Sequence, residues 1–343
     1  MVTNRRRLVP VREGPLHVAT SIWLPLFPVI LLGCGARTEL AKPPPGYVVL
    51  FPSAADGGDN NTTQTLSLWH SRTGAVTTVG TYAFQQAAMS FDGRFIAIEQ
   101  CVPSQGPCYG TGAVLDVLAP DGTIVWSEPE ATGQLSWGWL GALRPDGQRV
   151  LVGATAQPPD YSDNVCVLDR QGTPVPIRSQ GPGDFLMEAS YAPDGQTVVA
   201  VHLTTTGAQP AWLIETMRDD GTGTVVLAGP TPYDAGALRE PSFSFDGTAV
   251  VYLQCNTLLC DVAVIDLASG KSRTVYPGTS SRVLYYAPHF TPDGMAIVIR
   301  DLDENNVETL LRIDVATGEA SILWQGQLAA HPWFVNVSVA LDE

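Results

Sequence analysis

Chemistry in this chain would have to come from a short roster of residues. The five histidines are His17, His70, His202, His289 and His331, and no two stand at a metal-ligand spacing. His289 and His331 would have to converge through the fold to act as a metal or catalytic pair, so structural or surface roles are the simpler reading. Two acidic loops offer oxygen ligands: Asp301, Asp303 and Asn305 alternate in one, and Asp56, Asp59 and Asn61 sit among glycines in the other. Both suggest calcium, but neither follows the full spacing that makes such a loop specific, so solvated turns are expected and no cofactor is assigned. Four cysteines form two close pairs, Cys101 with Cys108 and Cys255 with Cys260, each able to close a small loop on a hairpin. Disulfides suit an exported chain; free thiols or a metal are the alternatives, the metal lacking Cys-x-x-Cys spacing and neighbouring histidines. Cys166, inside an apolar run, reads as a small buried hydrophobe. No Gly-x-Ser-x-Gly elbow is present, so the serine-hydrolase reading has no nucleophile.

The elements that position these residues announce themselves as a repeat. Asp92-Gly93, Asp146-Gly147, Asp194-Gly195, Asp246-Gly247 and Asp293-Gly294 lie 54, 48, 52 and 47 residues apart, each between two short apolar runs. A period near 50 residues points to propellers or related arrays. In the clearest unit, residues 241–244, 249–253, 262–266 and 272–276 form four short antiparallel strands bounded by Gly, Asp and Asn. Asp-Gly supplies the positive φ of the first turn, and the Asp side chain can bond its own turn. A residue present once per unit at a turn is there for the turn, not for catalysis.

Five complete units are visible, and the two ends supply a sixth. Residues 47–51 open an incomplete unit that lacks its first strand, while residues 333–339 form a lone strand near the carboxyl end. Paired together they would close a ring and leave no unpartnered inner edge. The expected fold is therefore all-β, a six-bladed β-propeller over residues 46–343, sealed by the last strand joining the incomplete first blade. Only residues 128–135 look mildly helical. The longest loops all join second to third strands, so they share one face, which is a candidate binding surface. Trp137 and Trp139 flank the start of an inner strand and are candidate anchors for a peptide or glycan; core packing is the plainer reading. Trp69, Trp212 and Trp324 are expected between blades.

The tracts Phe243-Ser244-Phe245-Asp246-Gly247 with Asp266 and Ser269-Gly270, and Phe290-Thr291-Pro292-Asp293-Gly294 with Asp314 and Thr317-Gly318, carry a family likeness. An aromatic, Ser or Thr, Pro or Phe, Asp-Gly, then an apolar strand ending in Asp before Thr-Gly or Ser-Gly, resembles the periplasmic TolB-like β-propeller repeat. The likeness implies a propeller that binds proteins in a bacterial envelope. TolB proteins also carry an amino-terminal α/β domain, for which residues 34–47 leave no room, so this chain resembles a stand-alone lipoprotein propeller.

The address agrees. Residues 1–33 read as a signal peptide, with Arg5, Arg6 and Arg7 ahead of an apolar run too short and proline-broken to span a bilayer. The run ends Leu31-Leu32-Gly33-Cys34, which resembles a lipobox, making Cys34 the expected lipidation site and its acyl chains the anchor. Residues 34–45 end in Pro43-Pro44-Pro45, a stiff tether. Gly35 after the cysteine favours the outer over the inner membrane. The net charge of -15 repels nucleic acid and anionic lipid. The expectation is a monomeric, non-enzymatic scaffold, anchored by lipid, for an envelope protein or peptide. The alternative is an enzyme or small-ligand binder, metal-assisted or not, at the central channel, which converging His, Asp or Glu side chains from several blades would favour.

Overall fold

A computed structural model describes residues 45–55, 63–101, 113–129, 135–156, 163–172, 174–178, 184–205, 207, 209–256, 259–278, 283–302, 307–327 and 338–342. The first blade begins with β1 (Tyr47–Ala55), β2 (Gln64–His70) and β3 (Val76–Tyr82). The second holds β4 (Phe84–Met89), β5 (Ile96–Cys101), β6 (Ala113–Leu118) and β7 (Ile124–Pro129). The third holds β8 (Leu135–Leu143), β9 (Arg149–Ala156), β10 (Asp163–Asp169) and the brief β11 (Val175–Pro176). The fourth holds β12 (Phe185–Tyr191), β13 (Thr197–Thr204), β14 (Ala211–Arg218) and β15 (Val225–Pro232). β16 (Ala237–Phe243), β17 (Ala249–Cys255), β18 (Cys260–Asp266) and β19 (Lys271–Tyr276) form the fifth. The sixth is β20 (Val283–Phe290), β21 (Ala296–Leu302), β22 (Val307–Asp314) and β23 (Ala320–Gln327). The last strand, β24 (Ser338–Leu341), returns to pair antiparallel with β1, so the first blade runs β24-β1-β2-β3. Six four-stranded antiparallel sheets result.

The blades form a closed ring because each first strand touches the next: β4 meets β8, β8 meets β12, β12 meets β16, β16 meets β20, and β20 and β4 both meet β24. The closing strand splits its side chains between two neighbours. Ala340 packs with Phe84, Met89, Ile96 and Ile98 of the second blade, whereas Val339 packs with Val298 and Leu310 of the sixth. That two-sided wedge explains why the strand runs to Leu341, two residues past the expected end at Val339; residues 333–337 lie outside the described residues. His70 Nδ1 stands 3.5 Å from Asp342 Oδ1, holding the tail from its other side.

Each first-to-second-strand turn is built alike. In the fifth blade Gly247 N–H donates to Ser244 O at 2.9 Å. Asp246 Oδ1 accepts from Thr248 N at 3.0 Å and from Ser244 Oγ at 2.6 Å. The turn glycine takes φ +69° there and +73° at Gly93, a left-handed conformation costly for residues with a Cβ. Gly93 has a second constraint, since a Cβ on it would stand 2.8 Å from Leu341 O of the closing strand.

Of the stretch 128–135, expected to be mildly helical, residues 130–134 lie outside the described residues, and the described ones are strand. Glu128 lies in β7, where it pairs with Leu115, and Leu135 begins β8. The helix propensity of Glu128 loses to the edge of the sheet, where a charged side chain is well solvated. Among the described residues the helical segment is a single 3-10 turn at Tyr233–Ala235.

Candidate functional site

The first strands surround the ring axis, and three of them carry a polar residue six before the turn Asp, where β8 and β20 have Leu140 and Ala287. There stand Gln86 in β4, Glu188 in β12 and Glu240 in β16. The pairing of β12 with β13 slips between Met187 and Ser190, and that of β16 with β17 slips between Arg239 and Ser242. Inside these bulges Glu188 and Glu240 take φ +50° and +51°, rare for a residue with a side chain and a mark of local strain.

The bulges aim side chains from blade to blade. Glu188 Oε2 accepts the Glu240 backbone N–H at 2.8 Å, and Glu188 Oε1 takes Arg239 Nη2 at 2.7 Å. Gln86 Oε1 likewise accepts the Leu140 N–H of the third blade. Four residues before the turn Asp a second tier continues: Ser242 Oγ and His289 Nδ1 are 3.0 Å apart. In the closing strand Ser338 Oγ accepts Met89 N–H at 3.2 Å. Three of these bonds give a side-chain partner to a first-strand backbone N–H, that of Glu240, Leu140 or Met89, which is what a buried polar lining requires.

A second cluster lies between the third and fourth blades. Glu215 of β14 is buried, with Oε1 3.1 Å from His202 Nδ1 of β13 and Oε2 2.9 Å from Arg178 Nη1, which follows β11. Asp184 Oδ1 is 4.0 Å from His202 Nε2 and accepts Thr205 N–H at 3.0 Å. Burial alone would raise the Glu215 pKa, but the His202 hydrogen bond and the Arg178 charge outweigh it and hold the carboxyl below its ordinary range. Asp116 of β6 occupies the same register in the second blade, opposite Ile98 as Glu215 is opposite Ala200. It has Ser127 for a partner but no cation among the described residues, so burial prevails and its pKa is raised.

The residues singled out in the sequence are distributed differently. Cys255 and Cys260 are opposite one another in β17 and β18 and joined by a disulfide. Cys101 ends β5, whereas Cys34 and Cys108 lie outside the described residues. Asp92, Asp146, Asp194, Asp246 and Asp293 all bond their own turns and converge on nothing. Trp137 and Trp139 lie in β8, paired with Ala154 and Gly153. Asp56, Asp59, Asn61, Asp303, Asn305, His331 and Trp333 fall outside the described residues, while Asp301 is buried in β21. Among the described residues no group of three His, Cys, Asp or Glu side chains is arranged to hold a metal. Trp69 is buried beside Tyr47; Trp324 packs tilted against Phe51, ring centroids 4.8 Å apart; Trp212 is only partly buried. Cys166 is buried and free, and burial pushes its thiol up to about 11.

Sequence reading missed Glu188, Glu240 and the His202–Glu215 pair. Aligning the units on their Asp-Gly turns would have put Gln86, Glu188 and Glu240 in one column. Nothing in that column, however, says that the residue takes positive φ and reaches across to the next blade.

No protein-family model and no curated protein sequence matches the chain. Solved structures do. A protein assigned as TolB from Agrobacterium tumefaciens superposes with a TM-score of 0.57 at 14% identity, covering 87% of this chain and 99% of that one. TolB from Acinetobacter baumannii gives 0.57 at 16% identity, over 86% of this chain and 66% of that one. A chain from a nidogen–laminin complex gives 0.53 at 12% identity, over 86% and 98%. Identities this low establish the fold and nothing finer. Six four-stranded blades, a ring sealed by the returning tail, and these superpositions together make the chain a six-bladed β-propeller of the TolB-like fold.

Proposed function

We propose that this propeller is a non-enzymatic scaffold, lipid-anchored through Cys34 in the bacterial cell envelope, that binds a protein or peptide partner. The observation that carries this reading is the use made of the polar groups around the axis. Glu188, Gln86, Ser242 and Ser338 each bond a group of the adjacent blade. Groups engaged this way hold the ring in register rather than stand ready for a substrate. The fold relatives fit the reading, since one of them is a chain from a complex of two proteins, nidogen and laminin. The face of second-to-third-strand loops and Trp137 with Trp139 are the proposed contact region. Anchoring follows from Leu31-Leu32-Gly33-Cys34 and the Pro43–Pro45 tether.

The test is crosslinking in intact cells followed by identification of what is recovered with the full chain. The reading expects one envelope protein to dominate and Cys34→Ser to release the propeller from the membrane fraction. Recovery of no protein above background would overturn it.

A second reading has a specific observation in its favour. Glu188 and Glu240 are adjacent first-strand carboxylates at strained φ, and His289 lies in the next blade. Strain of this kind accumulates at functional sites, and carboxylate-rich channels suit small-ligand chemistry. Under this alternative, Glu188→Gln would abolish ligand binding at the channel while leaving partner capture intact.

A further inference from the structure

Between the fourth and fifth blades, away from the axis, lies an open groove of about 380 Å³. Its floor is Leu238 and Tyr252, both buried. Its rim is polar: Thr231 of β15, Gln254 of β17, and Ser272, Arg273 and Thr274 of β19. Tyr252 OH and Ser272 Oγ are 2.8 Å apart, which fixes the phenol at the base. Arg273 alternates to the other face of β19, where Nη2 donates to Val315 O of the sixth blade at 2.8 Å, so Ser272 and Thr274 on either side of it are the β19 side chains that face the groove.

Beyond Thr231 the groove runs into an aromatic platform. Thr231 pairs with Trp212 in the sheet, and Trp212 packs against the same cluster as Leu238 and Tyr252. Tyr233 lies on Trp212 with ring centroids 5.7 Å apart and planes 15° from parallel. One face of Tyr233 is thus covered, yet 57% of the residue remains exposed. An exposed ring held flat by a second ring is preorganised for stacking, because neither χ angle has to be ordered on binding.

We propose that this groove and platform form a binding site for a neutral oligosaccharide. A pyranose presents an apolar C–H face to an aromatic ring and a rim of hydroxyls that both donate and accept. Tyr233 supplies the first surface; Thr231, Gln254, Ser272 and Thr274 supply mixed donors and acceptors for the second. The volume falls at the small end of ligand clefts, about 300–1,000 Å³, which suits a short stretch of a longer glycan rather than an enclosed metabolite. The chain's net charge of -15 disfavours an acidic glycan at this surface. The platform stands at the loop end of the fourth blade, where Tyr233 N–H donates to Pro210 O of the β13–β14 connection at 2.9 Å, and away from the channel; it takes a different class of ligand, so it goes beyond the partner-binding reading and does not depend on it.

The experiment uses the full chain against an array of neutral oligosaccharides (maltotriose, cellotriose, chitotriose) with uronate-containing oligosaccharides and peptides alongside, followed by calorimetry. A neutral oligosaccharide is expected to bind with Kd under about 1 mM. Tyr233→Ala should weaken it about tenfold, Tyr233→Phe should restore it, and Gln254→Ala should weaken it separately. Unchanged circular dichroism verifies that the variants fold. Absence of neutral-glycan binding, binding insensitive to Tyr233→Ala, preference for uronates, or a peptide occupying the groove instead would each overturn the proposal.

Discussion

Arg178→Ala should be among the more damaging changes away from the apolar core, and its cost should depend on pH in a definite direction. Arg178 Nη1 is 2.9 Å from Glu215 Oε2, and the Glu215 side chain keeps only 6% of its surface. Removing one partner of a buried pair costs about 3–5 kcal/mol, because the other charge is left without compensation. Here the figure should lie near about 3 kcal/mol, since Arg178 itself retains 22% exposure and His202 stays 3.1 Å from the other oxygen. The sign with pH follows from the lowered Glu215 pKa. The stabilising effect is fully present above the ordinary value of 4.5 and fades as pH falls through the folded value. Urea unfolding of wild type and Arg178→Ala, followed by tryptophan fluorescence between pH 7.5 and 3.5, measures both quantities. With a slope of about 3 kcal/mol per molar, the midpoint should drop by about 1 M at neutral pH. The gap should narrow below pH 4.5. A cost under about 0.5 kcal/mol, or a gap that stays constant down to pH 3.5, would refute the assignment of Arg178 as the counter-charge of Glu215.

Three further outcomes are expected. Asp116 occupies the same register as Glu215 without a cation among the described residues and has a raised pKa, so its charged form costs stability as pH rises through the folded value; Asp116→Asn should stabilise the chain at pH 7.5 and lose that advantage at acid pH, by the same urea assay. Gly294→Ala adds only backbone strain, as nothing lies within 4 Å of the new Cβ, and should cost about 1 kcal/mol. Gly93→Ala should cost clearly more, because its Cβ would press on Leu341 O. Cys166 should resist alkylation in the folded chain at pH 8 and react once urea unfolds it, since burial raises its pKa to about 11.

The architecture was legible because its signals are local and repeated. Asp246, Gly247 and their counterparts mark turns by their own chemistry, and five copies in phase fix the period. The tail could be placed by counting, since the Tyr47 unit lacked a strand and the chain ended with one to spare. The site was much less legible. Glu188 and Glu240 look like ordinary strand residues until the bulges are known, and a bulge reflects the fit between blades. Glu215 and Arg178 are separated by 37 residues in sequence and meet only because blades three and four pack face to face. Glu128 misled for the converse reason: its local helical preference was overridden by pairing with Leu115.

Everything about the ring depends on the place of the carboxyl-terminal strand. Asp342 N–H donates to Gly46 O at 3.0 Å, so by alternation along the ladder Val49 and Val339 face each other as a non-hydrogen-bonded pair, where cross-strand side chains are closest. Replacing both with cysteine and mapping disulfides by mass spectrometry tests the closure directly. Val49→Cys with Val339→Cys should yield a near-quantitative crosslink within the folded monomer, whereas shifting one partner to Ala340→Cys should not. No crosslink between positions 49 and 339, or equal crosslinking of 49 with 340, would contradict a propeller closed by its own tail.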